Sequence, residues 1–131
     1  MVVMKYSDKM VADSGGFVPF LVGPDEMVLA SVALANIAQG DRIVLSLEIA
    51  WERLHDWDSG ELEIMIREGT ETGTVIYWNM ESCFLRARSM ERYTMAGGAA
   101  AAQRYYLIVR SAEKRARITG PYSLQGAVYA P

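Results

Sequence analysis

Apolar and polar residues alternate with a period of two along much of this chain. The segment 42–52, RIVLSLEIAWE, shows this best, with apolar side chains at every second position: Ile43, Leu45, Leu47, Ile49 and Trp51. Because successive side chains of a strand face opposite sides of a sheet, the pattern predicts a half-buried β-strand. Similar alternation, or a β-branched and aromatic composition, predicts further strands at 27–37, 61–67, 74–79, 82–90, 115–120 and 122–130.

A run of small residues at 97–102, GGAAAA, precedes the apolar segment Tyr105–Val109. Alanine, glutamine and arginine favour a helix, and 99–117 can be written as one. However, five consecutive large apolar residues would cover every face of a helix, whereas a buried strand accommodates them. We therefore expect a strand at 105–109, with 97–102 as the connection that leads into it.

Turn residues such as Gly23-Pro24-Asp25 and Gly120-Pro121 separate these segments. About eight short strands between turns predict an all-β antiparallel β-sandwich over residues 17–131. Pro19 lacks the N–H needed in a sheet ladder, so an edge strand or a crossing loop is expected around it. Residues 1–16 mix Met, Val and charged residues and end in the hinge-like DSGG, so we expect an extended N-terminal arm there.

The stretch from GDRIVLSLEIAW through YYLIVRS to ARITGPYSLQGAVYA is similar to the jelly-roll modules of bacterial and phage surface proteins, in the broad sense of the C1q and tumour-necrosis-factor-like fold. The resemblance covers residues 27–131 and rests on the strand rhythm and on the late ITGP…L.G pattern. It implies a jelly-roll sandwich and proteins that form trimers or fibres. Residues 1–26 have no counterpart in that pattern.

Composition limits the classes of protein to consider. At 131 residues, with 51% hydrophobic and 22% charged residues, the chain fits one globular domain. Its formal net charge of −3 does not favour binding to nucleic acid or to an anionic membrane. The N-terminus lacks the apolar core of a Sec-type signal peptide, and we expect no membrane insertion because no window approaches about 18 apolar residues.

Catalytic chemistry is not indicated. The sequence holds one histidine, His55, in a polar loop, and one cysteine, Cys83, beside apolar residues. Neither a Cys–His dyad nor a Ser–His–Asp triad has an orienting motif. Asp56 and Asp58 have a spacing that occurs in calcium loops, but the other ligands of such a loop are absent. We expect no enzymatic activity, no cofactor and no metal site.

Two predicted strands, Thr74–Trp78 and Tyr105–Val109, have no clean polar side. A two-layer sandwich has a single interior, so their outer faces are expected to be covered by a second copy of the chain. A Met-rich arm could add to that contact by pairing with a neighbouring sheet. The candidate interface residues are Met4, Tyr6, Met10, Phe17, Phe20, Ile76, Trp78, Tyr106 and Ile108.

Charge is distributed unevenly along the chain. Carboxylates crowd the region 48–71, whereas arginines crowd the second half: Arg86, Arg88, Arg92, Arg104, Arg110, Arg115 and Arg117. A phosphate groove would interleave such cations with aromatic motifs, which are lacking here. Complementary patches that meet between copies fit the distribution at least as well.

These features predict a structural, self-assembling subunit of a homo-oligomeric fibre, filament or decoration on a virion, cell or spore surface. The partners expected are copies of the chain itself, with a glycan or another surface protein as further partners. The alternative is a carbohydrate-binding attachment module, in which Trp57 stacks on a sugar and Asp56 and Asp58 lie beside it.

Overall fold

The computed structural model describes residues 2–12, 17–54 and 56–131, and those residues form strands, turns and loops without a helix. Nine strands follow one another: β1 Val3–Ala12, β2 Phe20–Val22, β3 Met27–Leu34, β4 Arg42–Arg53, β5 Gly60–Glu68, β6 Thr74–Cys83, β7 Arg86–Ala96, β8 Gln103–Arg110 and β9 Ala116–Ala130. The prediction of an all-β antiparallel sandwich is confirmed. Among the described residues, no helix is long and apolar enough to cross a membrane.

Two antiparallel sheets form the sandwich. Sheet A has the order β1-β9-β4-β7, with β2 pairing alongside β9, and sheet B has the order β3-β8-β5-β6. The strands β1 and β2 share one side of β9, because β2 pairs with its first residues and β1 with its last. The two sheets also meet at their edges. Strand β1 of sheet A contacts β3 of sheet B, and β6 of sheet B contacts β7 of sheet A.

The alternating residues of the central strands fill the space between the sheets. On β4, Ile43 to Trp51 are buried at every second position, as their period of two predicts. Trp51 is fully buried, and its indole N–H donates a hydrogen bond of 2.9 Å to the Ser89 hydroxyl. That bond satisfies the polar atom of the largest core side chain, as a buried tryptophan requires.

The prediction for the alanine-rich region is confirmed. Residues 97–102 form no regular element, and the apolar segment after them lies within β8. Tyr105, Leu107 and Val109 belong to the core between the sheets, whereas Ile108 is buried outside that core, on the other face of the same strand.

Strand β9 is longer than predicted, because it continues through the Gly120-Pro121 pair that was expected to interrupt it. Ile49 of β4 pairs with Tyr122, and Trp51 pairs with Ile118, so Thr119 to Pro121 bulge opposite a single residue. Gly120 has φ +69°, and a Cβ there would come within 2.8 Å of the Phe17 ring. A β-bulge thus absorbs the proline within a continuous strand.

The predicted strand at 82–90 is wrong. Strand β6 ends at Cys83 in sheet B, and β7 begins at Arg86 in sheet A. Phe84 and Leu85 form the turn between the sheets, where they are exposed, and the Leu85 carbonyl accepts a hydrogen bond from the Arg53 N–H. The alternation predicted a single strand because the apolar residues of this turn continue the pattern of the strand before it.

The expected N-terminal arm contains β1, which lies in sheet A and pairs with β9 of its own chain from Val3 to Ala12. The DSGG hinge, residues 13–16, lies outside the described residues, as does His55. Within the chain as described, β1 is an edge strand of the sandwich.

Candidate assembly surfaces

The first candidate surface is β1, which pairs with β9 along one side but is little buried. Among its candidate interface residues, Met4, Tyr6 and Met10 are all exposed. Its half-buried side chains include Lys5 and Asp8, and these are polar. An edge strand held mainly by backbone pairing leaves its apolar side chains free for another contact.

Two polar side chains fasten β1 to sheet B and its loops. The Asp8 carboxylate accepts a hydrogen bond of 2.9 Å from the Ala33 N–H on β3. Lys5 pairs with Asp41, a buried carboxylate that also accepts the N–H of Ala38 at 2.8 Å. The Lys5 hydrogen bond, followed by the Ala38 N–H, lowers the pKa of Asp41 below its usual value. These bonds connect β1 to elements with which it shares no sheet.

Phe17 and Phe20 were expected at an interface, but they pack against the core of their own chain. The Phe17 ring lies 5.9 Å from the Tyr122 ring in an edge-to-face arrangement, and Phe20 lies 6.5 Å from the same ring. Such pairs stabilise by about 1 kcal/mol beyond burial. This aromatic cluster therefore closes the sandwich beside β2.

The second candidate surface is the outer face of sheet B. Antiparallel partners share a face, and the register aligns one row across all four strands, composed of Val28, Ile108, Met65 and Trp78. Ile108 and Met65 are already buried within the isolated chain, whereas Val28 and Trp78 at the two ends are exposed. Trp78 is 56% exposed, so a large apolar ring remains in solvent on this face.

Of the other candidate residues on these strands, Tyr106 is half-buried in a neighbouring row of the same outer face. Ile76 packs against the core and lies apart from them. Two ion pairs flank the apolar row, Arg67 with Glu26 at 3.0 Å and Arg110 with Glu63 at 3.0 Å. The Arg67 guanidinium beside Glu26 lowers the pKa of that carboxyl. The sequence predicted Trp78 and Ile108 here, but only the strand register reveals Val28 and Met65 as their neighbours.

Trp57, the candidate sugar contact, is half-buried in the loop between β4 and β5. The Arg115 guanidinium lies 4.1 Å from the centre of its ring, so one ring face is covered by a cation–π contact. Asp56 and Asp58 are exposed in the same loop. Among the described residues, no group of three or more potential ligands is placed to hold a metal ion.

Cys83 is buried at the end of β6, and burial raises the pKa of its thiol. A protonated, covered thiol is a poor nucleophile. Of the two residues considered for a catalytic dyad, Cys83 thus lacks the environment of a reactive cysteine.

No protein-family model and no curated protein matches this chain. Its fold is similar to that of a solved structure of Bacillus endospore appendages, described as a novel family of disulfide-linked pili. That likeness has a TM-score of 0.50 at 12% sequence identity, and it covers 96% of this chain and 86% of the appendage chain. The two chains share a fold, and that fold occurs in a subunit of a bacterial surface appendage.

Proposed function

We propose that this chain is a structural subunit that assembles with copies of itself into a fibre or filament on a cell or spore surface. The observation that carries the proposal is Trp78, which is 56% exposed at the end of the apolar row on sheet B. Contiguous apolar patches on the surface of a domain mark contact sites, and Trp78 lies in one row with Met65, Ile108 and Val28. The likeness in fold to an endospore appendage supports the same role.

The strand order also supports the jelly-roll resemblance. Sheet A, ordered β1-β9-β4-β7 apart from its short strand β2, and sheet B, ordered β3-β8-β5-β6, are two layers between which the chain passes repeatedly, as in a jelly roll. Self-association, a jelly-roll sandwich and a surface location together form one proposal, in which the chain acts by packing and not by catalysis.

Strand β1 is the second contact in this proposal. It pairs with β9 of its own chain. If β1 made the same pairing with β9 of a neighbouring copy, two subunits would be linked by the type of strand pairing that now lies within one chain. Among the described residues, two polar side chains of β1, Lys5 and Asp8, bond to parts of the sandwich beyond sheet A. If β1 is exchanged between copies, each subunit therefore keeps most of the hydrogen bonds that it has as a monomer.

Electron microscopy of the purified full chain, together with a Trp78→Thr variant, tests the proposal. Threonine keeps the β-propensity of the position but removes the ring, so we expect association to weaken at least about tenfold. Val18→Thr is the matched control, because Val18 is 78% exposed in the segment before β2. Fibres or rings from wild type and control but not from Trp78→Thr are expected, and monomers from all three would contradict self-assembly.

A further inference from the structure

The outer face of sheet A has a charge opposite to that of the whole chain. Six cations and two carboxylates lie on it, which leaves four positive charges on one face of a chain with a formal net charge of −3. We call it the basic face, defined by Lys9, Arg42, Arg86, Arg88, Arg92, Arg117, Glu48 and Glu52. Net charge alone conceals this surface.

Four of these cations make no ion pair with any residue that the structure describes. Arg88 pairs with Glu48, and Arg117 lies 3.6 Å from Glu52, so the two carboxylates of the basic face are already used. The four cations for which the described residues provide no ion pair are Lys9, Arg42, Arg86 and Arg92. Unpaired cations on one face of a sheet attract anions by their summed field.

Uncharged hydrogen-bonding side chains lie between the cations. One row in register across sheet A consists of Lys9, Gln125, Ser46 and Arg92. With strands about 4.8 Å apart, its two cations stand about 14 Å from each other at the backbone. Two adjoining hollows, of about 280 and 450 Å³, share Ser46, Arg92 and Gln125 in their walls. Glu48 and Glu91 line the smaller hollow as well, so the larger one, which Arg42 also lines, is the shallow groove that combines cations with amide and hydroxyl groups.

We infer that the basic face binds a linear acidic polysaccharide, a polymer that carries carboxylate or phosphate groups separated by neutral hydroxyls. Cations at separated positions match spaced anions, and Ser46 and Gln125 between them offer hydrogen bonds to hydroxyls. The expected ligand differs from nucleic acid, because Tyr129 on this face is covered by the Arg42 guanidinium at 5.6 Å and offers no free platform for a base.

This inference adds an attachment activity to the proposed assembly, on a sheet different from the one that bears Trp78. It assigns carbohydrate binding to residues other than Trp57, one face of whose ring is covered by Arg115. A fibre of such subunits would present the groove repeatedly, so weak binding at each copy would add up along one polymer.

Binding of the full chain to four immobilised polymers tests the inference: polygalacturonate for carboxylates, poly(glycerol phosphate) for phosphates, neutral dextran, and double-stranded DNA. We expect binding to one or both acidic polymers but not to dextran, with an affinity that falls as salt rises. Whether the carboxylate or the phosphate polymer binds more tightly identifies the source of the anionic group.

Two double variants of equal charge locate the site. Lys9→Gln with Arg92→Gln removes two cations from the basic face, and we expect affinity to fall at least about tenfold. Arg104→Gln with Lys114→Asn removes two exposed cations elsewhere and should leave binding within about twofold. Asparagine is chosen at 114 because φ is +57° there.

Equal losses in the two double variants, no preference of wild type for acidic polymers over dextran, or tighter binding to DNA would each overturn the inference. Light scattering on every sample reports assembly separately from binding. If the Lys9 and Arg92 variant loses only self-association, the face is a contact between copies and the inference is likewise wrong.

Discussion

The Asp8 carboxylate accepts a hydrogen bond from the backbone N–H of Ala33, so that one side chain joins an edge strand of sheet A to an edge strand of sheet B. This carboxylate also occupies an N–H on the outer edge of β3. In the described part of the chain, β3 pairs with β8 along its other side and with no strand along this edge. Unpaired edges attract foreign strands, and a carboxylate placed there discourages such pairing.

We predict that Asp8→Ala lowers the free energy of unfolding by about 1 to 2 kcal/mol, toward the low end for a hydrogen bond to a charged group because Asp8 is only half-buried. Thermal unfolding followed by circular dichroism measures it, with an expected decrease in Tm of about 3 to 8 °C. Ser7→Ala is the matched control, since Ser7 is exposed on the same strand. If both variants unfold at the wild-type temperature, Asp8 does not hold β1 to sheet B.

The Lys5–Asp41 ion pair should make the free energy of unfolding depend on pH in the acidic range. The pKa of Asp41 is lowered in the folded chain, so the ionised carboxylate stabilises the fold above the unfolded value of about 4. That stabilisation is lost as the pH falls through the folded-state pKa. Asp41→Asn should therefore destabilise the protein at neutral pH, and its difference from wild type should shrink in acid.

Urea unfolding at neutral pH and at about pH 3 measures this difference. Asp25→Asn, which removes an exposed carboxyl in the loop before β3, is the control for the loss of one negative charge from the chain. A difference for Asp41→Asn that stays constant between the two pH values would contradict the ion pair.

Gly120 should not tolerate a side chain. It has φ +69°, and a Cβ would lie within 2.8 Å of the Phe17 ring, so Gly120→Ala adds both backbone strain and a clash. We expect a loss of about 2 kcal/mol or more. Gly98→Ala is the control, because nothing lies within 4 Å of a Cβ there. Chemical denaturation compares the two, and equal stabilities would mean that the bulge of β9 does not fix this contact.

Cys83 should react slowly in the folded protein. Burial covers the thiol and raises its pKa, so a thiol reagent should label it much faster in urea than in buffer. The endospore appendages of similar fold are described as disulfide-linked, whereas this chain has a single cysteine. Cys83→Ala should therefore still assemble, and loss of assembly in that variant or in reductant would show that an intermolecular disulfide is required.

How much of the fold the sequence predicts depends on how each strand is held. Strand β4 buries one face, and the period of two of its apolar residues predicts it; β8 is buried on both faces, and its continuous apolar run predicts it. No such pattern predicts strand β1, because its inward contacts are polar, as with Lys5 and Asp8, and its stability comes from pairing with residues more than a hundred positions away. Local pattern contains no information about such distant partners.

The same holds for the candidate surfaces: features of a single strand could be predicted, whereas features that depend on the pairing of distant strands could not. The composition of β6 and β8 predicts strands that are apolar on both sides. For that reason Trp78 is exposed and Ile108 is buried outside the core. The basic face could not be predicted, because its cations come from four strands of different sequence position and meet only through the register of sheet A. The turn at Phe84 was missed since exposed apolar residues there imitate a strand.

Light scattering of the purified full chain across a range of concentrations tests self-assembly most directly. Trp78 and Val28, exposed at the ends of the apolar row on sheet B, and the exposed apolar side chains of β1 predict a mass that is a multiple of 14.6 kDa and that increases with concentration. A mass of one chain at every concentration, up to the highest that remains in solution, would contradict the proposal that this sandwich functions as a subunit of an assembly.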